Sequence, residues 1–185
     1  SVSTIEHAMA ALYAAGIDNV LIRINGAEMP ILDGSAREIS EKIQSVGVVS
    51  QNENKDYYIV KQKLEVRDDA TGASILVLPD DDFSIDVKIQ FDSPVIPNQF
   101  ASLDVIDNFD KDIASSRTFV FVREIEPLVK ANLIKGGDLE NAVVIYDQTM
   151  EQPQLDKLAD MMNVPHKEVD EFGYIQATPL RWANE

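Results

Sequence analysis

Ser3-Thr4-Ile5-Glu6-His7-Ala8-Met9-Ala10-Ala11-Leu12-Tyr13-Ala14-Ala15-Gly16 sets a helix signal directly before a strand signal, Asn19-Val20-Leu21-Ile22-Arg23-Ile24-Asn25. Ser3 with Glu6 three residues on has the spacing of a capping box. Ile5, Met9 and Leu12 fall on one helical face with Ala8 and Ala11 beside them, and Gly16 supplies a C-terminal stop. The β-branched run that follows predicts an extended strand.

The same alternation continues along the chain. Asp33-Gly34-Ser35 is a turn leading into a helix over 36–46, closed by Gly47. Residues 50–56 (Ser-Gln-Asn-Glu-Asn-Lys-Asp) are polar and aperiodic, and divide residues 1–50, a partial first subdomain, from residues 56–185, a second. Strands are predicted over 58–66, 74–78 and 84–91, with a hairpin turn at Asp68–Gly72, and their regular spacing points to an antiparallel sheet. A short helix is predicted over 109–115. A strand over 118–122, a helix over 124–131 with Pro127 in its first turn, and a strand over 142–146 form a strand–helix–strand unit. A final helix over 152–162 precedes an extended segment over 172–179.

Composition removes several classes of function. Net charge is -16, with 32 acidic against 16 basic residues, and a polyanion of this kind repels nucleic acid at long range. There is no cysteine, hence no thiolate metal site and no disulfide. No apolar run approaches the ~20 residues of a membrane-spanning helix, and Ser1-Val2-Ser3-Thr4 does not open a signal peptide. A chain that starts without Met inside a helix-start signal is expected to be a piece of a longer protein. A reducing compartment, the cytoplasm, fits this composition.

Glu6-His7 is the chemically suggestive pair. A hydrolytic zinc site needs protein ligands, an open position and a base near the bound water. His7 has the donor for the first role and Glu6 the carboxylate for the last. The bland reading stands beside it: Glu6 as a capping-box partner and His7 as a first-turn surface residue. The only other histidine, His166, follows Pro165 in a polar stretch and reads as a solvated loop residue. Gly136-Gly137 is not followed by the Lys-Ser/Thr of a phosphate loop, and Asp80-Asp81-Asp82 lacks the alternating ligands of a calcium loop.

Five segments taken together resemble one family, the zinc-dependent UDP-3-O-acyl-N-acetylglucosamine deacetylases of lipid A biosynthesis. They are Ser3–His7 with Gly16–Asn19, Pro30–Ala36, Ser116–Phe119 with Phe121, Leu133–Gly137, and Asn141–Val144. The resemblance implies an α+β fold in which two sheet-plus-helix subdomains form a sandwich, with residues 118–147 as an insert lining a passage for the acyl chain. Gly137, Ile125, Leu128, Ala142 and Val144 would line that passage, with Leu133, and Gly136-Gly137 would let backbone pack closely there. It further implies His7 as a zinc ligand, Glu6 as the base that activates water, Thr118 as a hydrogen-bond donor to the developing oxyanion, and Phe119 and Phe121 as aromatics flanking the UDP-linked acylated glucosamine. The implied reaction is amide hydrolysis, releasing acetate and an amine.

The family's remaining zinc ligands, a histidine and an aspartate on a His-Lys-x-x-x-Asp helix, would follow a segment like Pro179-Leu180-Arg181-Trp182-Ala183-Asn184-Glu185. The chain is therefore expected to be an interior fragment lacking N- and C-terminal elements, catalytically inactive and zinc-free by itself, with uncovered edges through which two copies pair. The length of 148–179 resembles the branch in which the deacetylase is fused to a 3-hydroxyacyl-carrier-protein dehydratase. Two alternatives are a non-catalytic acidic interaction or acyl-binding module on the same fold, and another metal hydrolase that borrows ligands from a second chain.

Overall fold

The computed structural model describes residues 1–93, 96, 98–133, 136–137, 140–169 and 171. In order these form α1 (Glu6–Ala14), α2 (Arg37–Val46), β1 (Leu64–Arg67), β2 (Ser74–Val77), β3 (Ile85–Ile89), β4 (Gln99–Leu103), α3 (Phe109–Asp112, after a 3-10 turn at Ile106–Asn108), β5 (Phe119–Phe121), α4 (Val122–Lys130), β6 (Val143–Ile145) and α5 (Gln152–Met162). The fold is α+β, as the sequence led one to expect. The segment predicted over 172–179 and the chain end Pro179–Glu185 lie outside the described residues, as do Ile134 and Lys135.

The start of α1 differs from expectation. Ser3 does not cap the helix; Ile5 occupies the cap position without a side-chain bond. The Ser3 backbone is instead held by the 27–29 loop: its N–H donates to Ala27 O at 2.9 Å and its carbonyl accepts from Met29 N at 3.0 Å. Thr4 then turns the chain through φ 56° into the helix. A residue whose backbone is tied to the 27–29 loop cannot also fold its side chain over the first turn, so the capping box is lost. The buried face of α1 is Ala8, Ala11 and Leu12, while Ile5 and Met9 are exposed. Small residues inward let α1 approach α2 closely. Ala11, Ala36, Leu103, Phe109 and Ala114 make the first core, with Ile39 and Ile43 of α2 packed on it. The side chains of Ser40 and Gln44 donate to Asp110, fastening α2 to α3.

Residues 19–25 form no strand, since no described segment pairs with them, and Leu21 is 75% exposed. The strand predicted over 58–66 begins only at Leu64, and the predicted antiparallel sheet resolves into two separate hairpins. In one, β1 pairs antiparallel with β2 from Leu64↔Val77 to Arg67↔Ser74. Its turn is closed by Asp68 N to Ala73 O at 2.8 Å, with Gly72 at φ 74°. In the other, β3 pairs with β4 from Ile85↔Leu103 to Ile89↔Gln99. The sequence reading missed β4; its Gln-Phe-Ala-Ser-Leu composition is weakly alternating and follows two prolines, Pro94 and Pro97.

The strand–helix–strand unit is present. β5 and β6 run parallel, in register from Phe119↔Val143 to Phe121↔Ile145, with α4 as the crossover that parallel pairing demands. α4 starts at Val122, earlier than predicted, so Pro127 sits in the helix interior and not in the first turn. Strand periodicity splits the ribbon into two faces. Phe121, Val143 and Ile145 pack with Phe91 and Ile96. Val120 and Val144 face the other way, onto Val122 and Ile125 of α4 and Leu158 of α5.

Candidate active site

Glu6 and His7 occupy the first turn of α1, Glu6 exposed and His7 half-buried. The positive end of the helix favours a carboxylate there. Neither side chain has a hydrogen bond or ion pair among the described residues, so each is available to a ligand. Among the described residues, no three His, Cys, Asp or Glu side chains are grouped so as to hold a metal ion. A tetrahedral zinc site draws three or four protein ligands. His7 offers one, so the donor set described here does not by itself fit zinc. His166 is no second donor at this site. Its Nε2 is 2.8 Å from Asp160 and its Nδ1 3.5 Å from Asp156, both on α5.

Thr118 immediately precedes β5 and is held from two directions. Its N–H donates to the Gly34 carbonyl at 2.8 Å, and its carbonyl accepts from Val143 N at 2.9 Å. Arg117 beside it donates from Nε to the Asp33 carbonyl at 3.1 Å. The Asp33–Ser35 turn that receives both bonds is rigid. Asp33 Oδ1 accepts from Ser35 N at 3.1 Å and from Ser35 Oγ at 2.8 Å, and its Oδ2 pairs with Arg37 at 2.6 Å. Burial opposes ionisation of Asp33, but the Ser35 bonds and the Arg37 charge outweigh it and hold the carboxyl below its usual range. Ser35, itself buried, passes the constraint to α2 by accepting from Arg37 N at 3.2 Å.

The predicted substrate-contacting residues are divided between the ribbon's faces. Phe119 and Phe121 point to one side and meet Phe91 in edge-to-face contacts, with ring centroids 5.4 and 5.1 Å from Phe91 and 5.9 Å from each other. Phe121 is buried and Phe119 is 40% exposed, so Phe119 is the ring that a ligand can reach. Ile125 and Val144 lie on the opposite side, packed against α5. Leu128 lines a shallow hollow with Arg123, Glu124 and Pro127. Ala142 and Gly137 are half-buried, and Leu133 is exposed. The close backbone approach expected at Gly136 is not there: a Cβ at Gly136 would meet open space among the described residues. It occurs at Gly34, where a Cβ would fall 1.8 Å from the Asn141 carbonyl oxygen.

Sequence reasoning also missed Arg123 and Asp147. The Asp147 side chain is sealed from solvent and ion-paired with Arg123. The Arg123 guanidinium lies 4.3 Å from the Phe121 ring centroid. The available signal was an aspartate directly ending an apolar strand, with an arginine two residues after Phe121.

The chain is an α+β member of a deacetylase family. That family is the one described as LpxC, UDP-3-O-acyl N-acetylglycosamine deacetylase, whose model matches residues 1–180, and the chain belongs to it. It is 59% identical over 184 residues to the bifunctional enzyme LpxC/FabZ of Bacteroides thetaiotaomicron, and 55% identical over 185 residues to that of Porphyromonas gingivalis. In both cases all of this chain and 40% of the relative are covered. It is 40% identical over 182 residues to the UDP-3-O-acyl-N-acetylglucosamine deacetylase of Citrifermentans bemidjiense, covering 98% of this chain and 59% of that protein. The chain thus spans less than two thirds of the length of these relatives. No helix among the described residues is long and apolar enough to cross a membrane.

Proposed function

We propose that this chain is part of a zinc-dependent deacetylase that removes the N-acetyl group from a UDP-linked, 3-O-acylated glucosamine in lipid A biosynthesis, in the cytoplasm. The observation that carries the reading is that the family match over residues 1–180 spans Glu6, His7 and Thr118 together. Glu6 takes a proton from the attacking water, and the Thr118 hydroxyl donates to the oxyanion of the tetrahedral intermediate. His7 contributes one donor to the metal, and the remaining ligands come from the rest of the full-length protein. Phe119 offers an aromatic face to the substrate. The bifunctional LpxC/FabZ names of the Bacteroides and Porphyromonas relatives support a two-function parent, in keeping with the dehydratase fusion that the resemblance implies.

By the same reasoning the 185-residue chain, with one zinc donor, is inactive alone. The test compares full-length parent, parent with Glu6→Gln, and the isolated chain, by acetate release from UDP-3-O-acyl-N-acetylglucosamine and by zinc content. The parent should turn over, Glu6→Gln should lose at least a hundredfold in kcat, and the chain should neither turn over nor retain one zinc per molecule. Full activity in Glu6→Gln would remove Glu6 from the role of base, and a parent that releases no acetate would turn the reading toward a non-catalytic acyl-binding role.

A further inference from the structure

We propose that Gly34 is a positioning residue for the reaction, acting through Thr118; the inference rests on the deacetylase reading above. Thr118 lies outside any strand ladder on its N-terminal side, and its N–H is anchored by a single backbone carbonyl, that of Gly34. Gly34 can offer that carbonyl only because it has no side chain. Its φ of 79° is in the left-handed region, and a Cβ would overlap the Asn141 carbonyl oxygen at 1.8 Å. Asn141 is buried, and its Nδ2 donates to Gly136 O at 2.7 Å, so it cannot retreat freely. Two residues beyond Asn141, Val143 holds the other side of Thr118. A methyl group at Gly34 therefore pushes on both anchors of Thr118 together. The turn is braced on α2 by Asp33, Ser35 and Arg37, so the displacement is transmitted to Thr118 and not absorbed in the turn.

The consequence is specific to the transition state. Oxyanion donors act only when placed within a few tenths of an ångström, and removing one costs about 10²–10³ in kcat. The test is a double-mutant cycle in the full-length deacetylase, with UDP-3-O-acyl-N-acetylglucosamine as substrate. Thr118→Ala should lower kcat by about 100- to 1,000-fold and Gly34→Ala by about 10- to 100-fold, each with KM within about twofold. The double variant should be no slower than Thr118→Ala within about threefold, since a displaced threonine and an absent one are equivalent. Gly72→Ala, equally left-handed at φ 74° but with open space around it, should leave kcat unchanged. Should Gly34→Ala not fold, Ser35→Ala loosens the same turn without a clash and enters the cycle in its place, with a smaller loss.

Amide exchange at Thr118 reads the latch itself. It should be slow in the parent and at least tenfold faster in the variants. Multiplicative losses in the cycle or an unchanged kcat in Gly34→Ala would overturn the proposal and leave the deacetylase reading intact. An unaffected Thr118→Ala would overturn it and also remove Thr118 from the oxyanion role, with acetate release by the parent still standing. A parent that releases no acetate sinks that reading instead, and this inference with it.

Discussion

The Asp147 carboxylate, two residues past β6, is closed off from solvent against the Arg123 guanidinium of α4, and Arg123 in turn covers the ring of Phe121. Neither Asp147 oxygen has a hydrogen-bond partner among the described residues beyond this ion pair. A buried charge with one partner depends on that partner. Removing one member of such a pair costs about 3–5 kcal/mol, whereas replacing both by apolar residues of similar size is often neutral. Arg123→Ala should therefore destabilise the chain strongly, and Arg123→Met with Asp147→Leu should recover most of the loss. Urea unfolding of the single and the double variant checks this; equal losses in both would show that the pair contributes nothing as a pair.

The two phenylalanines of β5, Phe119 and Phe121, should differ in what they do. Phe121 is buried among Phe91, Ile96 and Ile145, so Phe121→Ala should cost about 3–5 kcal/mol through lost burial and a cavity. Phe119 is 40% exposed, so Phe119→Ala should cost well under half of that. In the full-length enzyme the order should invert for substrate: Phe119→Ala raises KM, while a folded Phe121→Leu leaves it nearly unchanged. Thermal unfolding and steady-state kinetics on the same variants separate the two roles.

How far this was readable beforehand depends on whether a signal is local. α2, α5, the Asp68–Gly72 hairpin and the β5–α4–β6 unit each carry their own periodicity and stop signals, and all are present near the predicted limits. The 19–25 run has strand composition but no described neighbour, and a strand is defined by its partner. Ser3 satisfied a local capping rule yet was claimed by the 27–29 loop, a non-local competitor. At the site, the Glu6-His7 pair stood out by its own chemistry beside a bland alternative that the resemblance then displaced, whereas the role of Thr118 came from the resemblance alone. The importance of Gly34 was invisible because it rests on Asn141, more than a hundred residues away in sequence. The two-faced division of Phe119 from Val144 was implicit in strand alternation, once β5 and β6 are paired in register.

The isolated chain also leaves apolar side chains uncovered. Val66, Ile75 and Leu76 on the β1–β2 hairpin and Phe100 on β4 are all more than half exposed. Two-stranded hairpins present unpaired edges as well as open faces. The chain should therefore self-associate with rising concentration, against the repulsion of its net charge of -16. Raising salt screens that charge and should strengthen association. Sedimentation velocity over a concentration series at low and high salt tests this, and Val66→Lys with Ile75→Glu should shift the chain toward monomer. A monomer at all concentrations and salts would contradict it.

The segment after α5 carries a pH-dependent clip. Asn163 turns the helix end in the left-handed region, and His166 returns to lie 2.8 Å from Asp160 and 3.5 Å from Asp156. The hydrogen bond to Asp160 holds the imidazole pKa above its ordinary 6.5; desolvation opposes it, and the charges of Asp156 and Asp160 add to it. Because the folded value is raised, the stabilisation is complete below the ordinary imidazole value. It is lost as pH rises through the higher folded one. The other perturbed group near α5 behaves in the opposite sense. Glu126, bonded by Lys157 and Lys130, is lowered to about 2, so its contribution stays constant above its ordinary 4.5 and fails only in strong acid. Moving from pH 6 to pH 8.5 therefore changes the His166 clip and leaves the Glu126 bridge intact. Amide exchange at residues 163–167 should accelerate over that interval, beyond the intrinsic dependence on hydroxide. His166→Gln should remove the excess. An imidazole titrating at or below the ordinary value by NMR would refute the clip.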